Sequence, residues 1–462
     1  MSRPDPSFDI LPLPPLLQAT LQQLGYLTMT PIQAASLPLA LAGRDLIAQA
    51  RTGSGKTVAF ALPLLAKLNP RRFAVQALVL CPARELADQV AQEIRRLARA
   101  EDNVKTLTLC GGSPIRNQLA SLEHGAHIVV GTPGRVLDHL ARGTLVLEAL
   151  TTLVLDEADR MLDMGFADDI AQVAEHCPKA RQTLLFSATY PEGVAQLAAR
   201  FLREPQTVTL AERHAAGQIR QRFYEVADSE RLHAVGLLLQ HFRPVSTLAF
   251  CNTKQQCRDL VAVLQAQGLV ALELHGDLEQ RDRDQVLVRF ANRSCSVLVA
   301  TDVAARGLDI AQLEAVINVD ISPDPAVHTH RVGRTGRADE AGWAFSLASM
   351  DEMGAVGRID EMQGTPGAWH PLSELTPPAG AEPLRPPMVT LQILGGRKEK
   401  IRPGDVLGAL TKDLGLPAAQ VGKIVVNDFS TYVAVERSVA DKALRGLNAG
   451  KVKGRSVKAR RL

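Results

Sequence analysis

The residues with the clearest chemical promise are Ala50-Arg51-Thr52-Gly53-Ser54-Gly55-Lys56-Thr57, which follow an apolar strand pattern and open a helical one. Glycines here let backbone N–H groups approach a phosphate, Lys56 brings charge to the β- and γ-oxygens, and the Thr57 hydroxyl suits Mg²⁺. The strict phosphate-loop pattern wants glycine where Ala50 stands, so the match falls one residue short. The bland alternative is a glycine-rich turn that holds nothing. Further along, Leu153-Val154-Leu155 delivers Asp156-Glu157-Ala158-Asp159. At the end of a buried strand beside a phosphate loop, Asp156 can hold Mg²⁺, and Glu157 can orient or deprotonate an attacking water. An isolated acidic run is usually a solvated turn. Paired with the loop, it becomes a nucleotide-hydrolysis site that would use Mg²⁺.

A second run, His330-Arg331-Val332-Gly333-Arg334-Thr335-Gly336-Arg337, is dense in arginine. It is either a nucleic-acid patch or a source of arginines that neutralise charge at a γ-phosphate. The loops Pro82–Ala87 (with Arg84), Gly111-Gly112 and Thr132-Pro133-Gly134-Arg135 each follow a strand pattern. Their N–H groups, hydroxyls and arginines suit a sequence-independent grip on a phosphate backbone, although each alone is an ordinary loop.

The elements that must position these residues alternate short apolar runs with helix-length segments. Leu46–Ala48, Ala77–Leu80, His127–Val130, Leu153–Leu155 and Thr183–Phe186 read as buried strands. After 203–217 the rhythm restarts with Thr247–Phe250, Val270–Leu274, Ser296–Ala300, Ala315–Val319 and Trp343–Leu347. That rhythm predicts two α/β domains with parallel sheets. Seven prolines between Gly364 and Pro387 predict a semi-extended linker. Beyond it the order is strand (Val389–Leu394), helix (Pro403–Leu414), strands (Lys423–Val426, Thr431–Val435), helix (Val439–Asn448) and strand (Arg455–Arg460). This βαββαβ order fits a small RNA-recognition-like domain.

The bulk properties agree. At 462 residues the chain has room for about three domains. No apolar run approaches the ~20 residues that cross a bilayer, and the start lacks a signal-peptide core, so a cytoplasmic protein without a membrane partner is expected. The six cysteines lack C-x-x-C spacing, which points to reduced thiols rather than zinc or disulfides. The net charge of +3 hides an asymmetry: residues 388–462 carry 15 Lys+Arg against 6 Asp+Glu, a net of +9 on a body that is 6 negative. A polyanion is the expected partner of such a tail. Phe429 and Tyr432 are its only aromatics, so basic groups are expected to carry RNA recognition, among them Lys398, Lys400, Lys451, Lys453 and Arg455. A basic scaffold for a protein partner is the alternative.

The Asp-Glu-Ala-Asp tetrad, together with Ser187-Ala188-Thr189, resembles the DEAD-box RNA helicases, and further motifs of that family follow in order. The resemblance implies an RNA-dependent ATPase built from two RecA-like parallel-sheet domains and a small α+β RNA-recognition-like domain. The expected ranges are 1–207 and 218–363 for the RecA-like domains, 208–217 and 364–387 for linkers, and 388–462 for the RNA-binding domain. Phe8, Gly25-Tyr26 and Thr30-Pro31-Ile32-Gln33 resemble the family's Q motif, with Gln33 reading adenine and Phe8 packing nearby. An amide offers adenine a donor and an acceptor side by side.

By the same resemblance Arg334 and Arg337 act at the γ-phosphate and Asp309 contacts the ribose. Asp159, Ser187, Thr189, His330 and Arg331 couple hydrolysis to RNA opening. Arg84, Gly112 and Thr132–Arg135, together with Phe250, Arg283 and Thr301, contact RNA. Ala83 replaces the usual threonine of one such motif, which removes one hydroxyl. The stretches His275–Gln285 and Arg402–Leu410 resemble one subgroup, the bacterial DbpA helicases. That implies a hairpin of 23S ribosomal RNA in pre-50S particles as the target. A monomer is expected, with a dimer left open. The rival readings are a general RNA-remodelling helicase, an ATP-gated RNA clamp and a DNA translocase.

Overall fold

The computed structural model describes residues 6–462 except 51–52, 113, 211–218, 306–312, 337–340, 379 and 381. The chain divides into two compact units, the first ending near residue 213. The first unit is built on a seven-stranded parallel sheet: β1 (Leu46–Gln49), β2 (Ala77–Leu80), β3 (Thr106–Leu109), β4 (Ile128–Gly131), β5 (Thr152–Leu155), β6 (Gln182–Ser187) and β7 (Gln206–Thr209). Its order is β3-β4-β2-β5-β6-β1-β7.

Both faces of this sheet are buried, which is why its strands read as continuous apolar runs. Along β2, Ala77 and Val79 join the core on one face, and Leu78 and Leu80 join the core on the other. The helix Arg84–Leu97 covers one face with Leu86, Ala87, Val90, Ala91, Ile94 and Leu97, a single helical stripe. The edge strands β3 and β7 lie outside the expected strands. Thr106–Leu109 alternates, and Gln206–Thr209 is largely exposed, so neither shows the apolar run of a central strand. β7 also continues past the expected domain end at 207.

The second unit carries another seven-stranded parallel sheet: β8 (Ile219–Glu225), β9 (Thr247–Cys251), β10 (Ala271–Leu274), β11 (Val297–Thr301), β12 (Ala315–Asn318), β13 (Gly342–Ala348) and β14 (Trp369–His370). The order is β10-β11-β9-β12-β13-β8-β14. β14 lies within the proline-rich segment expected to be a linker and pairs with Phe223-Tyr224. Leu375 and Leu384 of that segment are buried in this domain's core, and Glu374 accepts from Tyr224 Oη at 2.7 Å and Arg222 Nη1 at 2.8 Å. Apolar and acidic side chains between the prolines therefore bind the segment to the domain.

The same unit ends in a four-stranded antiparallel sheet, β15 (Met388–Ile393), β16 (Val421–Val426), β17 (Thr431–Glu436) and β18 (Ala459–Arg461), in the order β16-β17-β15-β18. Val389, Leu391, Ile393, Val433 and Val435 face a core shared with the helix Ala440–Ala449. The expected helix from Pro403 is α-helical only to Gly408 and continues as a π-turn over Ala409–Asp413. The last strand starts later than expected, at Ala459, and Lys453 and Gly454 before it adopt positive φ in a turn closed by a Val452–Arg455 bridge.

All six cysteines are free and buried. Among the described residues no helix is long and apolar enough to cross a membrane.

Candidate functional site

The order of the first sheet sorts its loops by chemistry. The strands β5, β6 and β1 are neighbours, and their carboxyl ends lead into Asp156–Asp159, Ser187–Thr189 and the phosphate loop. The strands β3, β4 and β2 fill the other edge and lead into Cys110–Gly112, Thr132–Arg135 and Pro82–Arg84. Ligand sites outside the carboxyl ends of parallel strands are the rule in such sheets.

In the phosphate loop Gly53 and Gly55 have φ of 79° and 91°, a region that L side chains rarely adopt. A Cβ on Gly55 would lie 2.5 Å from Gln33 Nε2, so the loop needs glycine for space as well as for conformation. Gln33 Nε2 donates to Gly55 O at 3.1 Å, its Oε1 accepts from Thr30 N at 2.9 Å, and Thr30 Oγ1 donates to Ser54 O at 2.8 Å. The Q-motif residues therefore latch the phosphate loop directly. Gln33 keeps one N–H and one lone pair beyond these bonds. Phe8 is buried in the adjoining core, edge-on to Tyr26 with ring centroids 6.3 Å apart. Arg51 and Thr52 lie outside the described residues.

Lys56 opens the helix Lys56–Ala66, with Thr57 next to it. Lys56 Nζ and Asp156 Oδ1 are both buried without a hydrogen-bond partner. Buried polar atoms are ordinarily satisfied, so an orphaned ammonium and an orphaned carboxylate at a phosphate loop fit a bound nucleotide and cation. Burial pushes the Asp156 carboxyl up, and the charge of Lys56 opposes that push. Glu157 has φ 52°, a strained backbone for a non-glycine residue, and it caps the short helix Ala158–Asp163. Glu157 Oε2 accepts from Arg160 Nη1 at 2.8 Å in a buried pair that the sequence reading did not single out. The i,i+3 spacing on a helix start was the available signal.

Ser187 joins three segments. Its carbonyl accepts from Ala50 N at 3.0 Å, and its Oγ accepts from Asp159 N at 3.2 Å. Asp159 Oδ2 in turn accepts from Thr189 N at 2.9 Å and from Thr189 Oγ1 at 2.8 Å. The phosphate loop, the acidic tetrad and the Ser-Ala-Thr segment thus share one hydrogen-bonded chain.

On the opposite edge Arg84 Nη1 donates to Gly112 O at 3.5 Å, and Arg135 Nη1 donates to Gln118 Oε1 at 2.9 Å. Thr132 precedes the helix Pro133–Ala141, whose first turn presents Gly134 and Arg135. Gln118 also donates to Cys110 O at 2.9 Å, which ties two of these loops together.

In the second domain Arg331, expected from the resemblance to act in coupling, makes a dense set of bonds. Its guanidinium is buried and meets Asp302 with two bonds of 2.7 Å, Asp320 O at 2.6 Å and Asn252 Oδ1 at 2.9 Å, and it lies 5.2 Å from the Phe250 ring centre. These bonds commit Arg331 to its own domain, where it clamps the loops after β9, β11 and β12. Phe250, read from the sequence as an RNA contact, is 3% exposed beneath that guanidinium. A ring covered in this way has no free face for a base.

Thr301 ends β11, Arg283 Nη2 donates to Ala304 O at 2.8 Å, and His330 is half-buried on the helix Pro325–Val332. Arg334 follows that helix and is buried. Asp309 and Arg337 lie outside the described residues. In the tail Lys453 Nζ donates to Lys400 O at 2.6 Å, and Lys451 and Arg455 flank the same turn as Lys453.

Fold and site together define an α/β protein with a phosphate loop and acidic tetrad at one end of its first sheet and a basic tail domain. Residues 30–197 match the DEAD/DEAH box helicase family, residues 230–339 the helicase conserved C-terminal domain, and residues 390–461 the DbpA RNA binding domain. The chain is 53% identical over 452 residues to the ATP-dependent RNA helicase DbpA of Escherichia coli K12, covering 97% of this chain and 98% of that one. It is 42% identical over 355 residues to the DEAD-box helicase CshA of Geobacillus kaustophilus, covering 77% and 76%. The structure of S. cerevisiae Dbp5 bound to RNA and ADP BeF3 matches with a TM-score of 0.74 and 31% identity, covering 80% of this chain and 96% of that one. The chain belongs to the DEAD-box ATP-dependent RNA helicases, within the DbpA group.

Proposed function

We propose that this helicase opens short RNA structures locally in the cytoplasm, that its target is a 23S ribosomal RNA hairpin in the maturing 50S subunit, and that residues 388–462 select it. The observation that carries the reading is the tail, a domain of the DbpA RNA-binding type with a net charge of +9 on a motor that is 6 negative.

The loop N–H groups and Lys56 bind the nucleotide phosphates, and Gln33 offers its remaining N–H and lone pair to adenine beside Phe8. Asp309 serves the ribose. The donor set fits Mg²⁺, which Thr57 and Asp156 would hold and which would offset phosphate charge. Glu157 orients the attacking water and takes its proton. Arg334 and Arg337 contribute transition-state charge. The chain from Ala50 through Ser187 and Asp159 to Thr189 relates the nucleotide's state to the RNA side. There Arg84, Gly112, Thr132–Arg135, Arg283 and Thr301 hold the phosphate backbone.

ATP hydrolysis by the full chain with 23S rRNA and with an unrelated RNA of equal length tests the target. The account expects stronger stimulation by 23S rRNA and loss of that preference when residues 388–462 are removed. Equal stimulation would leave a general RNA-remodelling helicase.

A further inference from the structure

RNA-recognition-like sheets ordinarily stack bases on aromatics of the face away from their helices. In this chain that face carries Thr390, Gln392, Tyr432 and Ala434, because cross-strand partners share a face. These residues are 1%, 3%, 4% and 1% exposed. Thr390 Oγ1 lies 2.6 Å from Ser294 Oγ and 3.1 Å from Asn292 Nδ2, side chains of the preceding helicase domain, and Gln392 Oε1 accepts from Arg460 Nε at 2.7 Å. Met388 N also donates to Arg293 O at 3.3 Å. The face that would stack bases is therefore closed off within the protein itself.

The other tail aromatic is placed differently. Phe429 sits at the tip of the hairpin joining β16 and β17 and is 72% exposed. The tip is rigidly seated: Arg397 N donates to Asn427 O at 2.9 Å, Lys398 N to Asp428 O at 3.0 Å, and Asn427 N to Ser430 O at 2.8 Å. A Cβ on Gly396 would fall 2.1 Å from Asn427 O, so the two loops touch backbone to backbone. The Arg397 guanidinium lies 3.8 Å from the Asp428 carboxylate. The Lys453–Lys400 bond adds the 451–455 turn to the same end of the domain. Of the acids there, Glu399 is engaged by Gly396 N and Asp405 by Arg402 N. An exposed ring on a fixed hairpin, bonded to the loop that carries Arg397, Lys398 and Lys400 and linked through it to the turn of Lys451 and Lys453, has the composition of a single-strand stacking site.

We propose that Phe429 is the base-stacking residue of the tail and that the loop end 396–400, 427–430 and 451–455, rather than the sheet face, receives an unpaired base of a structured RNA together with its flanking phosphates. The proposal rests on the reading of the tail as the RNA-selecting domain. It assigns discrimination to Phe429 and non-selective attraction to the basic groups, since a stacked base must be splayed out of its helix before the ring can reach it.

The test measures, for the full-length protein, the apparent affinity for 23S rRNA relative to a fully base-paired RNA duplex, which offers phosphates but no unpaired base. Phe429→Ala should lower that ratio by about 5- to 100-fold, the worth of one base–aromatic stack. Phe429→Trp should keep it, because the larger ring still stacks. The exposure of Phe429 makes unfolding no explanation of a loss, and an unchanged melting temperature checks this. A second variant, Lys398→Glu/Lys400→Glu, separates the two readings. If it lowers the ratio while Phe429→Ala does not, the tail selects RNA without Phe429 and the stacking proposal falls. If neither variant lowers the ratio, the tail's RNA-selecting role falls with it, and the loop end is a contact for a protein.

Discussion

Thr189 gives both its backbone N–H and its hydroxyl to one carboxylate oxygen, Asp159 Oδ2, at 2.9 and 2.8 Å. Asp159 is also bound through its own N–H to Ser187 Oγ, so the tetrad cannot shift without pulling the Ser-Ala-Thr segment. Thr189→Ala removes the hydroxyl and keeps the amide bond. Hydrogen bonds to charged groups contribute about 1.5–3 kcal/mol, enough to uncouple the segments without unfolding the domain. The expected outcome is RNA-stimulated ATP hydrolysis near wild type with duplex separation reduced about tenfold or more. Parallel ATPase and strand-displacement assays check it. Equal loss of both would assign Thr189 to hydrolysis itself.

Gly55→Ala places a methyl 2.5 Å from Gln33 Nε2 at a φ of 91°. The strained backbone alone costs of order 1–3 kcal/mol, and the displaced Gln33 loses its bond to the loop. Nucleotide affinity should fall at least about tenfold while the circular dichroism spectrum stays that of the folded chain. Titration with a fluorescent ATP analogue reads this directly.

Arg331→Lys should destabilise the second domain severely rather than tune catalysis. An ammonium cannot reproduce the two-pronged bond to Asp302 and also reach Asp320 O and Asn252. Breaking one side of a buried ion pair costs about 3–5 kcal/mol. Denaturant unfolding should show that loss. Unchanged stability with impaired unwinding would assign Arg331 to coupling alone, as the family resemblance implies.

The phosphate loop and the acidic tetrad were legible in sequence because their chemistry is local: glycines, a lysine and carboxylates at short spacing after apolar strands. The central strands were legible because burial on both faces leaves an unbroken apolar run. Edge strands such as Gln206–Thr209 and Trp369–His370 lack that run, and the parallel pairing of Trp369 with Phe223 joins residues far apart in the chain, which no local pattern records. The partners of Arg331 were not legible for a similar reason, since Asn252, Asp302 and Asp320 lie on separate loops. Tyr432 looked as available as Phe429 until the fold placed one ring under cover and left the other in solvent.

His328 titrates inside the second domain with a predictable sign. It is fully buried against Phe223, both ring nitrogens lack a partner, and burial with the neighbouring Arg331 charge holds its pKa down at about 4. The unfolded chain gains this proton at the ordinary histidine value, so stability falls as pH drops from there toward 4. At 1.36 kcal/mol per unit the loss is on the order of 3 kcal/mol. His328→Leu should flatten this part of the curve, measured by chemical denaturation between pH 7 and 4. An unchanged slope would move the titration elsewhere.

The central claim is a motor whose ATP hydrolysis answers to RNA. Its most direct measurement is steady-state ATP hydrolysis by the full-length protein with an RNA and with a DNA of the same sequence and length, for the wild type and for Glu157→Gln. The account predicts stimulation by RNA and not by DNA. It also predicts that Glu157→Gln lowers turnover by about 10²- to 10⁴-fold while ATP and RNA binding persist. Equal stimulation by the two nucleic acids, or unaltered turnover in Glu157→Gln, would contradict it.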